Sequence, residues 1–344
     1  MGGGAAAGFG ILPLVARLTV FGAGAMGTAV AMHLARNRND TTLWASPYDE
    51  SVLSALTEDR RHPALPEHLP DSLTVMGPDE LDAAAKDIDI AVMGAHSGGA
   101  RTLARAVMEG CGSLPLVVCV AKGLEANTRK RMSEVYSEEV GHDRVAAMGG
   151  PCLAPEVAQG LPTAAVFAAA DLTTAQEGAD VFRSKTFHAV VTDDLPGVEY
   201  CTVAKNVAAI GMGILDGLGK VSGFDYRNAK AALFAQAIGE LSELVVALGG
   251  RPETAAGLAG LGDTLVTSLG GRNRLFGELI GEGAEPEKAL AELGARGMTV
   301  EGWDSARDIR ALAEGTGKDM PYLTQVNRVL FESAPASSIL ERLA

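Results

Sequence analysis

Residues 18–27 read LTVFGAGAMG, an apolar run that ends in three glycines spaced as GxGxxG. The run predicts a short buried strand, and the residues that follow, through about Arg36, have the apolar spacing of a helix. A GxGxxG pattern between a strand and a helix is typical of a dinucleotide-binding turn, because its glycines permit a tight turn and a close approach of the backbone to a pyrophosphate. We therefore predict that this turn binds a dinucleotide at the N-terminus of the helix through Gly22, Gly24, Ala25, Met26 and Gly27.

The end of the second predicted strand, Thr41 to Trp44, bears on which dinucleotide is bound. NAD-specific sites usually carry an acid there, about 20 residues after the glycine turn, which bonds the ribose 2′-hydroxyl. Here the position is occupied by Ala45-Ser46-Pro47, and no acid follows until Asp49. A 2′-phosphate would need a nearby cation such as Arg60 or Arg61. The sequence therefore leaves both NAD and NADP open as the cofactor.

Strands and helices alternate through the first half of the chain. Further strands are predicted near Thr74 and over 88–93, 116–121, 145–148, 163–168 and 188–191, with helices from Ser51 and over 100–108. This alternation predicts a parallel sheet with right-handed crossovers and helices on both faces. The predicted fold class is thus α/β, with the sheet domain spanning residues 17–194.

Beyond Thr192 the pattern changes to long apolar helices, predicted over 198–216, 226–248 and 305–314, without clear strand signals between them. We therefore place a domain boundary near Asp194 and expect an all-helical second domain over 195–344. Residues 1–16 have no basic region before their apolar stretch, which Gly and Pro interrupt. They are expected to form a disordered leader rather than a secretory signal or a membrane anchor.

Composition narrows the class of partner. The chain of 344 residues has a formal net charge of −14, and its short basic runs have acids close by. Such a surface repels nucleic acid and anionic membranes, although single Lys and Arg residues can still bind a small anion. The four cysteines lack metal or disulfide spacing, so we expect reduced thiols, a cytoplasmic protein and no metal site. The sequence has no run of about 18 apolar residues that would predict a membrane span.

Lys205 lies in an otherwise apolar helical segment. A buried ammonium costs several kcal/mol unless it is paired or its pKa falls, so its presence suggests a chemical role. The alternative is a lysine near the helix start whose ammonium reaches solvent.

Three segments carry a resemblance to a known family: AKGLE (121–125), VAKNVAAIGMGILDGLG (203–219) and GLGDTLVTSLGGRNR (260–274). Together with GGPCLAPEVAQGLPTA (149–164) and VEG (300–302), they resemble the NAD(P)-dependent sn-glycerol-3-phosphate dehydrogenases over nearly the whole chain from Leu18. The resemblance implies a Rossmann-type domain, an all-helical substrate domain, a substrate cleft between them and a homodimer. The implied reaction interconverts dihydroxyacetone phosphate and sn-glycerol 3-phosphate, which supplies phospholipid synthesis.

The resemblance also assigns the reacting groups. It implies that Lys205 is the general acid that protonates the carbonyl oxygen, that Lys122 is a second cation near this oxygen and the cofactor, and that Asp263 orients and balances Lys205. The alternatives are a surface lysine for Lys122 and an ordinary turn residue for Asp263.

The family's substrate positions fall mainly in GGRNR. Arg272 and Asn273 resemble a phosphate clamp, since a guanidinium binds phosphate in bidentate fashion and an amide adds a neutral donor. Arg272 and Glu301 fall on positions near the cofactor, and Asn206 and Thr267 on substrate contacts. The alternative for the GGRNR segment is a polar surface turn.

The chain departs from the family in three places. Met93-Gly94-Ala95 replaces a Val-Pro-Ser or Val-Pro-Thr turn, where we expect a more mobile loop, and 149–156 read GGPCLAPE where the family has SGPSFAKE. A longer link, 220–226, replaces a GFGDN-like segment. His96, in the loop that follows the predicted strand 88–93, either lines the cofactor cleft or takes part in polar packing. These departures leave open a related phosphorylated polyol or ketose, a hydroxy-acid dehydrogenase of the same architecture, and a dinucleotide sensor without turnover.

Overall fold

The computed structural model describes residues 15–343, and its first half is built on one eight-stranded sheet. The spatial order of the strands is β3-β2-β1-β4-β5-β6-β7-β8. The strands are β1 (Arg17–Phe21), β2 (Asp40–Trp44), β3 (Leu73–Met76), β4 (Ile90–Met93), β5 (Leu116–Cys119), β6 (Val145–Gly149), β7 (Thr163–Ala168) and β8 (Phe187–Thr192). Every predicted strand is present, and the predicted strand ends differ by a few residues at most.

The predicted parallel sheet is confirmed for every pairing of neighbouring strands except one. β7 pairs with β6 in the antiparallel direction, which the sequence did not predict, and with β8 in the parallel direction. The intervening helix, α6 (Ala154–Gln159), has six residues. It spans about 9 Å, whereas the five residues of β6 span about 16 Å. Because α6 is too short to return the chain across the sheet, β7 starts at the edge where β6 ends.

Helices cover both faces of this sheet, as predicted. In β4, Ile90 and Val92 pack on one face and Ala91 and Met93 on the other. The helices of this half are α1 (Ala25–Arg36), α2 (Glu50–Thr57), α3 (Leu81–Ala84), α4 (Ala100–Cys111), α5 (Met132–Val140), α6 and α7 (Leu172–Asp180). A strand buried on both faces is continuously apolar, which explains why these segments lack a polar alternation.

The predicted leader, 1–16, lies outside the described residues except for its last two. Val15 is exposed, whereas Ala16 is buried and its carbonyl accepts a hydrogen bond from the Asp40 amide. Ala16 therefore belongs to the folded sheet domain rather than to a leader.

The described part of the second half is helical, as predicted. Its helices are α8 (Leu195–Ser222), α9 (Arg227–Ala247), α10 (Pro252–Ala256), α11 (Asp263–Leu269), α12 (Arg272–Gly281), α13 (Pro286–Ala295), α14 (Glu301–Thr316) and α15 (Pro321–Phe331). The sheet ends at Thr192 and α8 begins at Leu195, next to the predicted boundary at Asp194.

α8 and α12 pack backbone against backbone through glycines. A Cβ on Gly213 or Gly217 of α8 would overlap the carbonyl oxygens of Arg274 or Glu278 in α12. The reverse holds for Gly277, whose Cβ would overlap the carbonyl oxygen of Ile210. Glycine normally weakens a helix, but here it lets two helices approach closely. This contact fixes the start of α12 against the middle of α8, which carries Lys205.

α8 is long and apolar enough to cross a membrane by length and composition alone, yet 89% of its most apolar window is buried inside the protein. Its hydrophobicity is that of the central helix of the second half, which α9, α11, α12 and α14 surround.

Candidate active site

The carboxyl ends of four neighbouring strands define the site. Gly22 follows β1, Gly94 follows β4, Lys122 lies shortly after β5, and Gly150 follows β6. Ligands bind beyond the carboxyl ends of strands in open α/β sheets, because loops and helix N-termini meet there. The helical half places Lys205 and Asp263 at the same edge, through the contact of Lys122 with Asp263.

The glycine turn is held by close backbone contacts. Gly22 has a φ of +105°, which favours glycine, and its amide donates to the Trp44 carbonyl at 2.9 Å. A Cβ on Gly27 would overlap the Gly22 carbonyl oxygen, and one on Gly94 would lie 2.9 Å from that oxygen and 3.1 Å from the Gly27 Cα. The departure from the family at Gly94 therefore has a packing reason, since a larger residue would push the turn apart.

The same turn fits a dinucleotide. Gly24 is exposed with nothing within 4 Å of its Cβ position, so a ligand can approach the backbone there. The first intrahelical hydrogen bond of α1 comes from the Thr28 amide, and no side chain caps the helix. The amides of Ala25, Met26 and Gly27 are thus the unpaired donors of a helix N-terminus, which suits a pyrophosphate.

Beyond the end of β2, Asp49 turns back toward this loop. Its Oδ2 accepts hydrogen bonds from the Ala23 amide at 3.1 Å and from the Ser46 amide at 2.9 Å and hydroxyl at 2.6 Å. Arg60 donates to the carbonyls of Pro70 and Leu73, so it is engaged with the backbone rather than with the turn.

Lys122 and Lys205 share one carboxylate. Lys205 Nζ donates to Asp263 Oδ1 at 2.6 Å, and Lys122 Nζ donates to Asp263 Oδ2 at 2.7 Å. Lys122 also donates to the Gly150 carbonyl at 2.9 Å, and Lys205 contacts Thr267 Oγ1 at 3.3 Å. The structure thus brings together the three residues predicted as catalytic, with Asp263 pairing both lysines rather than Lys205 alone.

The position of Asp263 follows from an irregular turn. Residues Leu258–Gly262 form a π-helical turn, and Asp263 then opens α11. A Cβ on Gly260 would overlap the backbone of Ala255, so the turn requires glycine at this position. Widened helical turns are frequent at functional sites, because they place a side chain where a regular helix would not. Here the turn buries the Asp263 side chain, which is 1% exposed, between the two ammonium groups.

Burial and mutual charge interactions shift the pKa values of Lys205, Lys122 and Asp263. Burial and, to a smaller extent, the Lys122 ammonium lower the pKa of Lys205 to about 8, against the opposing effect of Asp263. Burial is the largest single effect on the pKa of Lys122 and lowers it, but Asp263, together with the smaller effects of Cys152 and Lys205, holds that pKa above its ordinary value. Burial raises the pKa of Asp263, yet the two ammonium groups keep it below its usual range. Lys122 is therefore a fixed cation, whereas Lys205 can exchange a proton near neutral pH.

Each ammonium keeps a donor for a substrate. An ammonium has three N–H donors, and the contacts above use two of each lysine's. One N–H per lysine remains for a substrate oxygen placed beside Asp263. This arrangement suits the stabilisation and protonation of an oxygen that gains negative charge.

Arg272 and Glu301 face each other at the N-termini of α12 and α14. Arg272 Nη2 lies 3.6 Å from Glu301 Oε1, with side chains 51% and 35% exposed. Glu301 also raises the pKa of Lys205 electrostatically, so this pair lies within electrostatic reach of the reacting cluster without contacting it. GGRNR is not only a turn, because Arg272 is the first residue of α12. Arg274, its second arginine, pairs with Asp216 and Glu278 and is engaged within the fold.

Asn206 and Asn273 form a buried amide pair. Asn273 Nδ2 donates to Asn206 Oδ1 at 2.9 Å, and Asn273 Oδ1 accepts from the Gly302 amide at 2.9 Å. Asn206 Nδ2 reaches Ser305 Oγ at 3.4 Å. These bonds join α8, α12 and the start of α14, so Asn273 holds the clamp region together besides having a remaining N–H for a ligand.

Sequence reasoning missed two groups that hold site residues in place, and it did not predict that Cys152 lies beside the reacting cluster. The Gly150 carbonyl, which depends on a φ of +101°, holds Lys122, and Ser305 continues the amide chain. Cys152 lies within the electrostatic reach of Lys122 and Lys205, and burial raises its pKa to about 11, so the thiol is neutral. No residue type in the sequence indicates a role for a backbone carbonyl such as that of Gly150. The GGPC segment that contains it was nevertheless among the segments that carry the family resemblance. His96 is exposed at the edge of the cleft rather than packed in the core.

The third departure from the family lies away from these groups. Lys220 and Lys205 are both in α8 and are separated by 15 positions, or about 22 Å along the helix. The link 220–226 therefore does not line the reacting cluster. Among residues 15–343, no group of three His, Cys, Asp or Glu side chains is arranged to hold a metal ion.

Known proteins resemble this chain across both halves. Residues 17–175 match the family described as NAD-dependent glycerol-3-phosphate dehydrogenase N-terminus, and residues 194–341 match the C-terminus of the same family. The glycerol-3-phosphate dehydrogenase [NAD(P)+] of Moorella thermoacetica is 38% identical over 95% of both chains. The NADP(+)-dependent glycerol-3-phosphate dehydrogenase of Archaeoglobus fulgidus is 31% identical over 95% of this chain and 98% of its own.

A solved structure agrees with this relationship. The crystal structure of glycerol-3-phosphate dehydrogenase from Coxiella burnetii is 30% identical with a TM-score of 0.84, and the match covers 96% of this chain and 99% of that one. The fold and the sequence thus point to the same relatives over almost their whole length. The chain belongs to the NAD-dependent glycerol-3-phosphate dehydrogenase family.

Proposed function

We propose that this protein interconverts dihydroxyacetone phosphate and sn-glycerol 3-phosphate with NAD(H) or NADP(H). The observation that carries the proposal is the sharing of the Asp263 carboxylate by Lys122 and Lys205, at 2.7 and 2.6 Å. Two ammonium groups beside one carboxylate form a compact site for a single reacting oxygen.

Lys205 serves as the general acid in reduction. The bound nicotinamide supplies the hydride to the carbonyl carbon. As negative charge develops on the carbonyl oxygen, Lys205 Nζ gives it a proton, and the neutral amine takes a proton from the hydroxyl in oxidation. The lowered pKa of Lys205, about 8, makes both directions accessible near neutral pH.

Lys122 and Asp263 prepare this transfer. Lys122 stays charged and stabilises the developing oxyanion, while Asp263 holds both ammonium groups in place. Thr267 Oγ1, which donates to the Asp263 carbonyl at 2.7 Å, positions Lys205 and contacts the substrate. Asn206 contributes a substrate contact from the turn of α8 that also carries Lys205.

The phosphate binds at the start of α12. Arg272 is half-exposed and loosely paired, so its guanidinium can turn to a phosphate without breaking a buried contact. Asn273 offers its remaining amide proton, and the unpaired amides of the α12 N-terminus add to the attraction for an anion. Arg272 and Glu301 also lie on the side where the cofactor approaches.

The wider role follows from this reaction. Residues 17–194 hold the cofactor and 195–344 supply most of the substrate contacts. The enzyme acts as a cytoplasmic homodimer without nucleic-acid or membrane partners and supplies the glycerophosphate backbone of phospholipids. These finer statements rest on the family resemblance and on the charge of the chain.

The test compares two ketones. Loss of NADH and NADPH absorbance is followed with dihydroxyacetone phosphate and with unphosphorylated dihydroxyacetone, and oxidation only with the phosphate ester is expected. Lys205→Met should lower turnover about 10²- to 10⁴-fold while cofactor binding persists. Lys220→Met, an exposed position on the same helix, is the matched control.

Two results would contradict the proposal. Equal reduction of both ketones would argue against the phosphate clamp and favour another dehydrogenase of this architecture. Cofactor binding without turnover of either ketone would favour a related phosphorylated substrate or a dinucleotide sensor, and a panel of phosphorylated ketoses would distinguish these two.

A further inference from the structure

The turn after β2 forms a small closed structure. Ser46 and Asp49 bond each other reciprocally, as the Ser46 hydroxyl accepts from the Tyr48 amide and Asp49 Oδ2 accepts from the Ser46 amide and hydroxyl. In the sequence, Asp49 lies five residues after Trp44, the last residue of β2, which is beyond the position of the usual ribose-binding acid. The turn folds it back, however, and its carboxylate occupies the space beside the end of β2.

A third contact places this carboxylate at the cofactor turn. Asp49 Oδ2 accepts from the amide of Ala23, the residue between the first two glycines of the turn. In NAD sites the ribose of the adenosine half lies between the glycine turn and the end of the second strand. Asp49 therefore bridges the two elements that flank the expected ribose.

One oxygen of this carboxylate remains for a ligand. All three hydrogen bonds that Asp49 accepts from the described residues go to Oδ2, and Oδ1 has none. The residue is half-buried rather than covered. A ribose hydroxyl can donate to Oδ1 without displacing any protein contact, whereas a phosphate has no proton to offer it at neutral pH except from a minor protonation state.

The cations nearby are arranged poorly for a 2′-phosphate. Arg60 uses its Nη2 on the carbonyls of Pro70 and Leu73, and Arg61 Nε donates to the Leu65 carbonyl. His62 is buried and its Nδ1 accepts from the Ala64 amide. Burial lowers the pKa of this imidazole, although the Ala23 backbone and Asp49 oppose the shift. Arg61, exposed and with its terminal nitrogens unengaged by any described hydrogen bond, is the competitor that the test must address.

We propose that Asp49 bonds the ribose 2′-hydroxyl and makes this protein select NAD(H) over NADP(H). A 2′-phosphate would bring a charge of about −1.5 to −2 next to a carboxylate held by three hydrogen bonds, and like charges so placed repel strongly. The inference rests on the proposed function only in requiring that the glycine turn binds a dinucleotide.

The experiment measures binding without substrate or turnover. Dissociation constants of NADH and NADPH are determined by calorimetric titration of the full-length protein. Displacement of bound NADH fluorescence by AMP and by adenosine 2′,5′-bisphosphate then isolates the ribose end. The parent should bind NADH at least about tenfold more tightly than NADPH. AMP should likewise displace bound NADH at lower concentrations than adenosine 2′,5′-bisphosphate does.

Variants identify the responsible residue. Asp49→Asn keeps an oxygen for the Ala23 and Ser46 donors but removes the charge, so the NADH-to-NADPH ratio should fall several-fold toward one. Glu50→Gln, the adjacent exposed acid, should leave the ratio unchanged. Arg61→Gln should also leave the ratio unchanged, and thermal melting of each variant verifies that the turn is folded.

Three outcomes would overturn the inference. They are equal or tighter binding of NADPH by the parent, an unchanged ratio in Asp49→Asn, and a loss of NADPH binding in Arg61→Gln that shifts the ratio more than Asp49→Asn does. A failure to reduce dihydroxyacetone phosphate would count against the proposed function alone, because these titrations contain no ketone.

Discussion

The candidate site has a buried end and an exposed end. At the buried end, Lys122, Lys205 and Asp263 are bonded at 2.6 and 2.7 Å, with the carboxylate 1% exposed. At the exposed end, Arg272 is half-exposed and stands 3.6 Å from Glu301. Each end contains both a positive and a negative side chain. Only at the buried end does the fold hold these side chains in close contact.

The difference fits the roles that we propose for the two ends. A proton donor has to be aligned before the substrate arrives, and an unpaired buried charge would be costly, so both ammonium groups of the reacting cluster contact the Asp263 carboxylate. A phosphate carries its own charge and is more easily bound by a side chain that is free to turn. Exposed ion pairs are worth about 0 to 1 kcal/mol, so exchanging Glu301 for a phosphate costs Arg272 little.

The largest effect is expected from Asp263→Asn at the buried end. Both buried ammonium groups would lose their counter-charge, and such losses destabilise proteins by about 3 to 5 kcal/mol. Turnover should fall at least about 10³-fold, because Lys205 loses the carboxylate that orients its ammonium group and that supports its pKa. Denaturant unfolding and steady-state kinetics measure the two effects. Asp225→Asn, in an exposed pair with Arg227, is the control, and parent-like values of both quantities in Asp263→Asn would refute the role of the shared carboxylate.

The exposed end should respond differently to Arg272→Gln. Loss of a charge-assisted hydrogen bond to phosphate is worth about 1.5 to 3 kcal/mol, so KM for dihydroxyacetone phosphate should rise about 10- to 150-fold. Stability should stay nearly unchanged, because the side chain is half-exposed. Arg296→Gln, which removes an exposed i,i+4 pair in α13, provides the control. An unchanged KM would mean that the phosphate binds elsewhere.

A pH titration sharpens the description of the buried end. Lys205 is protonated below its pKa of about 8, so reduction at saturating substrates should be flat below pH 8. Above that pH the rate should fall about tenfold per unit, as the acid form disappears. Oxidation needs the neutral amine and should rise with pH up to about 8 before levelling. Reduction that accelerates between pH 8 and 9 would exclude Lys205 as the acid.

The smallest effect is expected from Glu301→Gln, because this carboxylate pairs loosely with Arg272 and acts on Lys205 only electrostatically. Removal of this carboxylate frees Arg272, so KM for dihydroxyacetone phosphate should fall by up to about fivefold. Glu301 raises the pKa of Lys205, so the alkaline limb of reduction should also move to lower pH. A rise in KM with an unmoved limb would argue against this placement, and weaker NADH binding would support a cofactor contact instead. Glu314→Gln, in an exposed pair on α14, is the control.

The glycines show how far sequence reasoning reached. The turn at Gly22 and Gly27 was predictable, because a local motif between a strand and a helix encodes it. The contact of Gly213 with Arg274 was not, because glycines within an apolar helix indicate only a weaker helix until the partner helix is known. Gly94 was noted as a departure, and only its approach to Gly22 explains why it is glycine.

By itself, the sequence determined the α/β sheet followed by helices and predicted the dinucleotide turn, because periodicity and motifs are local. The family resemblance of its segments pointed to Lys122, Lys205, Asp263 and Arg272 as candidate site residues. Only the tertiary structure decided the reversal at β7, the pairing of one carboxylate with two lysines, and the return of Asp49 to the Ala23 amide. Lys122 and Asp263 are 141 residues apart, so their contact and the pKa of Lys205 depend on how the two halves pack and exclude water. Burial and long-range charge pairing are properties of the folded chain, and no local pattern records them.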